Sequence, residues 1–428
     1  MLRKSRNYVA ILLALLIGVS SVMPAFATEP EAGVHFTDDP DAPIEAVITK
    51  NLQMPAGTET PTATFNFEAT PVSMDGKEDA VTKAAMPDLK HLLVRYNKDT
   101  LGVNTEGDVK SIKLQTGDIL EDVNFNGLGA GIYIYEITES DSSMVEGVPS
   151  RDHQLILSKA VYTFTIYVEN HPSVAGETYV QYVIVRVKAI DTEDGAKVND
   201  KVDIRPGEGG MIFTNTYVKS ANPENPDPAK DATLTVSNKV EGQMSYKDHP
   251  FEYTITMTSN KIHPEVQQPD YYRAYIVEDG KIIDPSDNAE SDLIGRPGSD
   301  KMDYIKVAIN GPTEFTLKDG QSLVFVDTPV GTKYDITQEG VNQHKPSYTI
   351  TTNNEVGDKG EKLAGDSITT GTQLIGEPNN IAAFVNTRDF TAPAGLSLAN
   401  VPFVAMIILG LSGLVAYIVV GVRKRKAY

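Results

Sequence analysis

Apolar and polar residues alternate along much of the chain between Thr28 and Phe390, and a helical period is almost absent. Phe65, Phe67 and Ala69 share one parity, as do Tyr162, Phe164, Ile166 and Val168, and again Val183, Val185 and Val187. Further on, Phe251, Tyr253, Ile255 and Met257 alternate with Glu252, Thr254 and Thr256. Successive side chains of a strand point to opposite faces, so this period of two predicts half-buried strands with core on one side and solvent on the other. Glu278-Asp279-Gly280-Lys281 between apolar segments predicts a hairpin turn. Many short strands separated by Gly, Asn and Asp predict an all-β chain built from sandwiches.

The pattern breaks at Ser220 to Asp231, where three prolines alternate with polar residues. Such a stretch cannot be a central strand and reads as a stiff spacer. It divides the chain into a domain at 40–219 and another at 232–390. The two share an internal order, as a repeat would. Each opens on a strand with related residues, Ala46-Val-Ile-Thr-Lys50-Asn-Leu52 and Leu234-Thr-Val-Ser-Asn238-Lys-Val240. Each carries Tyr-x-Ile-Thr later on, Tyr135-Glu-Ile-Thr-Glu139 and Tyr334-Asp-Ile-Thr-Gln338. Each closes on Phe-x-Asn-Thr, at Phe213 to Thr216 and Phe384 to Thr387.

Both ends point to export. Arg3, Lys4 and Arg6 precede an apolar run from Val9 to Val19, and Ala25-Phe26-Ala27 is a small-x-small cleavage site. Residues 1–27 therefore read as a secretory signal peptide. At the other end, 396–422 carries no charge and is followed by Arg423-Lys424-Arg425-Lys426. About 20 apolar residues suffice to span a bilayer core. The basic cluster stays cytoplasmic by the positive-inside rule, so the preceding chain faces outward. Pro393-Ala394-Gly395 just before this run resembles the sorting signal of Gram-positive surface proteins, in which a sortase cuts before the Gly; a simple membrane anchor is the alternative.

Composition narrows the partners. Removing both ends takes away seven basic residues and no acidic one, which moves the net charge from −20 to about −27. So acidic a chain repels nucleic acid and anionic lipid. There is no cysteine, hence no disulfide to staple an exported protein. The seven histidines are scattered without ligand spacing, so neither a metal nor a cofactor is expected. No nucleophile elbow, phosphate loop or nucleotide fingerprint is present, so turnover catalysis is not expected either.

With these residues in view, the chain resembles the isopeptide-linked shaft pilins of Gram-positive bacteria, the streptococcal T-antigen type. The densest match is Phe315-Thr-Leu-Lys-Asp-Gly-Gln-Ser322 with Pro329-Val-Gly331 and Tyr334-Asp-Ile-Thr337. The resemblance implies two tandem immunoglobulin-like sandwiches on an exported, wall- or membrane-anchored structural subunit. Its partners would be a sortase and other pilin subunits or peptidoglycan. A monomeric adhesin, or a tip or basal pilin that binds a host or matrix ligand, is the alternative. It also implies a single-turnover bond between a Lys on the first strand of a domain and an Asn on its last, assisted by a buried Glu. In the first domain these are Lys50, Asn215 and Glu139, and their parities with Ile48, Phe213 and Ile137 turn all three inward. Burial disfavours both charged forms, so amine and acid can exist neutral. The amine is then a nucleophile for the Asn215 carboxamide, and a protonated Glu139 would polarise the amide oxygen and relay protons. Without the family, a buried Lys–Glu ion pair beside a hydrogen-bonded Asn explains the same residues.

The second domain departs from that pattern. Asn238 stands where Lys50 would, and Gln338 where Glu139 would; only Asn386 remains. A neutral cluster of Asn238, Gln338 and Asn386 without a bond is expected there, since buried amides need partners. A one-residue bulge that turns Lys239 or Glu339 inward is the alternative. The tail departs as well, with Ala394 where the family has Thr. The family's polymerising lysine would fall at Glu208, with Lys197 and Lys201 nearby.

Overall fold

A computed structural model describes residues 34–37, 39–190, 197–207, 209–220, 227, 230–297, 301–377, 379–389, 406–409 and 411–412. The cleavage site at Ala27, most of the 396–422 span, Ala394, Gly395, Glu208 and most of the proline-rich spacer lie outside these residues. Among the described residues no helix is long and apolar enough to cross a membrane.

The chain is nearly all β. Four strands position the site of the first half: β1 (Ile48–Pro55), β2 (Ala63–Met74), β3 (Gly131–Glu139) and β4 (Met211–Lys219). One sheet orders Val34–Phe36, Thr178–Ala189, Val161–Asn170, β3, β2 and Leu93–Tyr96. The other orders Val103–Glu106, Val109–Gln115, β1, β4 and His153–Ile156. Together they enclose one core that includes Ile48, Phe65, Phe67, Ile137, Phe164 and Phe213. The alternation is visible in burial: Tyr162, Phe164, Ile166 and Val168 are buried while the residues between them are half-exposed.

The second half repeats the scheme with β5 (Leu234–Glu241), β6 (Phe251–Thr258), β7 (Lys333–Gln338) and β8 (Ile381–Thr387). β5 and β8 are neighbours in the larger sheet, and β6 and β7 are neighbours in the smaller. Its own core gathers Val236, Phe251, Ile255, Ile336 and Phe384. The hairpin at Asp279-Gly280 has both residues at positive φ, 49° and 73°, as a tight two-residue turn demands. One short helix, Ala80–Ala85, interrupts the β pattern, capped by the Asp79 carboxylate on the Thr82 N–H.

In both halves the first and last strands pair in parallel. β1 and β4 run side by side from Ile48 opposite Met211 to Gln53 opposite Thr216. β5 and β8 do the same from Thr235 opposite Ile381 to Glu241 opposite Thr387. The halves also touch. The Val330 N–H donates to the Lys219 carbonyl at 3.0 Å, and Lys219 Nζ meets Glu377 Oε2 at 2.5 Å. Gly331, at φ +86°, lies so close to Pro55 that an added Cβ would sit 2.3 Å from the proline ring. Glycine is required there both by conformation and by space.

Candidate functional site: a buried Lys–Glu–Asn trio and its neutral counterpart

The strand order brings three polar side chains into the first core. Lys50, mid-strand on β1, stands opposite Phe213 of β4. Asn215, two residues on, keeps the same inward parity and stands opposite Leu52. Glu139 ends β3 in the facing sheet, opposite Phe67 of β2. The Lys50 and Glu139 side chains and the whole of Asn215 are fully buried.

Their contacts centre on the carboxylate. Lys50 Nζ donates to Glu139 Oε2 at 2.7 Å, and Asn215 Nδ2 donates to Glu139 Oε1 at 2.7 Å. The amine of Lys50 and the carboxamide of Asn215 are thus held on the two oxygens of one acid. The Phe65 ring lies under the ammonium, with its centroid 4.8 Å from Nζ, a buried cation–π contact. The Tyr96 hydroxyl donates to the Lys50 carbonyl at 2.7 Å and fixes the backbone of β1 from beneath; burial pushes this phenol far above its ordinary range, so it stays neutral.

The amide oxygen of Asn215 does not face Glu139, as the sequence reading supposed. It accepts from the backbone N–H of Ser158 at 2.7 Å. A backbone N–H can only donate, so this contact settles which end of the carboxamide carries oxygen. Ser158 follows the strand His153–Ile156, the neighbour of β4, and its N–H also lies 3.2 Å from Glu139 Oε2. Sequence reasoning missed Ser158 because a backbone donor leaves no residue signature.

The second half places Asn238, Gln338 and Asn386 in the same registers. Asn238 stands opposite Phe384, Asn386 opposite Val240, and Gln338 opposite Tyr253 of β6. All three are buried. Asn386 Nδ2 donates to Asn238 Oδ1 at 2.9 Å, Gln338 Nε2 donates to Asn386 Oδ1 at 2.7 Å, and Asn238 Nδ2 donates to the Leu317 carbonyl at 3.2 Å. The Tyr253 hydroxyl closes the group against Asn238 Oδ1 at 3.1 Å and Gln338 Oε1 at 3.3 Å. Burial raises the Tyr253 phenol far above its usual range, so the cluster carries no charge. Tyr253 had been read only as a core residue; the hydroxyl where the first half has Phe67 was the available signal. Lys239 faces solvent and pairs with Glu241 at 2.5 Å, and Glu339 accepts from Ser367 on the surface, so no bulge brings either inward.

Other chemistry is sparse. Among the described residues no group of three or more His, Asp or Glu side chains is arranged to hold a metal ion. Lys197 is exposed, and Lys201 lies in a two-residue strand beside Arg186.

A family model described as "Domain of unknown function (DUF7601)" matches residues 232–388. A curated protein named "Pilin", from Streptococcus pyogenes serotype M1, is 24% identical over 382 residues, covering 87% of this chain and 89% of its own. Among solved structures, the major pilin from Streptococcus pyogenes aligns at 18% identity with a TM-score of 0.31, over 82% of this chain and 100% of that one. The T3.2 major pilin of the same species aligns at 16% identity with a TM-score of 0.29, over 84% and 100%.

Proposed function

From this chain's likeness to a streptococcal pilin along most of both lengths, we propose that it is a structural subunit of a Gram-positive surface pilus. In this reading it is exported on residues 1–27 and carries two immunoglobulin-like sandwiches, 40–219 and 232–390. A sortase then joins it through Ala394, cutting before Gly395, to another subunit or to peptidoglycan. Its first domain closes a covalent Lys50–Asn215 bond and its second makes none. It performs no turnover chemistry, needs no cofactor, and meets the membrane only through its C-terminal helix before sorting.

The observation that carries the bond is the carboxylate of Glu139 holding Lys50 and Asn215 on its two oxygens in the buried core. Lys50 passes one proton to Oε2 and becomes a neutral amine. Its Nζ attacks the Asn215 Cγ, and the new C–N bond forms as the carbonyl opens. Collapse expels Nδ2, which takes its third proton from the acid and leaves as ammonia. Of the three protons on Lys50, one stays on the amide nitrogen, one departs with ammonia and one remains on Glu139. Holding both reactants in contact with one proton carrier removes the entropic part of the barrier. The reaction also discharges a buried ion pair, whose desolvation is costly while it persists.

Intact mass of purified residues 28–394 tests the reading. The expected deficit is one ammonia, abolished by Glu139→Ala. No deficit would leave a non-covalent sandwich with a buried ion pair, and two would place a bond in the second half as well.

A further inference from the structure

Resting on the cross-link proposed above, we infer that the backbone N–H of Ser158 is the oxyanion donor of that reaction. Attack on Cγ turns the Asn215 carbonyl oxygen into an alkoxide in a fully buried site. Charge that develops in a dry site must meet a donor already in place. Glu139 cannot fill this role in the observed arrangement, because Oε1 faces the leaving nitrogen and Oε2 faces Lys50. The Ser158 N–H is already 2.7 Å from Asn215 Oδ1, at the short end of the N–H···O range.

The placement follows from the topology. Ser158 lies between His153–Ile156, which pairs with β4, and Val161–Asn170, which pairs with β3. Its loop therefore spans from the strand beside the electrophile to the strand beside the acid. The Ser158 hydroxyl accepts from the Ala160 N–H at 3.3 Å and holds the loop, while Ser158 itself is buried. In the second half the corresponding oxygen, Asn386 Oδ1, is met by the Gln338 side chain instead. An acid at that position would have no proton to give once ionised. The first half thus separates the two duties, with proton carriage on Glu139 and oxyanion stabilisation on a main-chain group that cannot be titrated.

The test replaces the residue 158 amide by an ester, using the α-hydroxy analogue of serine in cell-free translation of the full mature chain. Loss of ammonia is followed by intact mass against time. A parallel ester made in the Lys50→Met background, which cannot bond, gives the folded fraction by protease resistance. Removing one oxyanion donor is worth on the order of 100- to 1,000-fold in rate. The expected result is a slowing of that order per folded molecule. An ester that reacts as fast as the parent, or slows only as far as its folded fraction falls, overturns the role of Ser158 and leaves the cross-link standing. A parent chain that loses no ammonia overturns the cross-link and this role together.

Discussion

In the first half of the molecule Lys50 stands opposite Phe213, and Asn215 opposite Leu52; in the second, Asn238 stands opposite Phe384, and Asn386 opposite Val240. The backbones present the same stations. What occupies them differs as a set: a cation, an anion and an amide on one side, and three amides with a phenol on the other. Removing only one member of a buried ion pair strands the other, at a cost of about 3–5 kcal/mol. Replacing both by amides leaves a group that hydrogen bonds alone can satisfy. The comparison teaches that the two cores solve one burial problem in two ways, one by pairing the charges and one by never having them.

The largest effect should come from breaking the charged side. Glu139→Ala should abolish the ammonia loss and strand Lys50 in the core. The lost cross-link alone is worth about 5 kcal/mol in the loop-entropy treatment used for disulfides. Chemical denaturation followed by a probe in the first half measures this, and an unchanged midpoint would contradict it. Next comes transplantation. Asn238→Lys, Gln338→Glu and Tyr253→Phe together should give the second half its own trio, and a second ammonia should be lost. Because no main-chain N–H among the described residues donates to Asn386 Oδ1, that trio should react about 100-fold or more slower than the first. Equal rates in the two halves would remove the distinction.

A smaller change probes the contact between the halves. Gly331→Ala forces a Cβ into Pro55 at a positive φ, and should cost about 1–3 kcal/mol, read as a lowered midpoint with the mass deficit unchanged. Acid should weaken both halves, because burial also holds His35 of the first below its ordinary value. Burial lowers the affinity of His344 for its proton, with Arg388 and His249 opposing the charge as well, while the Asn342 carbonyl partly offsets them. A histidine held below its ordinary 6.5 contributes stability that is full above that pH and declines as pH falls through it. Urea midpoints measured between pH 8 and pH 5 should fall for the second half, and His344→Gln should flatten that fall. The smallest expectation is none at all: Lys239→Ala removes an exposed pair with Glu241 and should alter neither the mass deficit nor the midpoint measurably.

Much of this arrangement was legible in residue order. Alternation located the strands around Tyr162 and Phe251, and parity alone turned Lys50, Glu139 and Asn215 to the inner faces. The paired departure at Asn238 and Gln338 was visible as soon as the two halves were laid side by side. What stayed hidden was what strand periodicity does not encode. The Ser158 N–H belongs to every residue type but proline, and nothing marks the one whose loop crosses the site. Phe65 reads as core whether or not an ammonium rests on its ring. The orientation of the Asn215 carboxamide depends on donors brought from positions far along the chain, so only the folded arrangement reveals it.

The parallel pairing of first and last strands has a mechanical consequence. Tension entering at the start of β1 and leaving at the end of β4 drags adjacent strands past one another along their length. All the rungs between them are then strained at once, as in a lap joint, where an antiparallel pair pulled from one end would unzip rung by rung. β5 and β8 share that geometry, so each half resists pulling by the same shear. A Lys50–Asn215 bond would let the force pass from strand to strand without stretching the first half at all. A fibre of such units under a sudden jerk would then lengthen in its second halves alone, and these would serve as its shock absorbers.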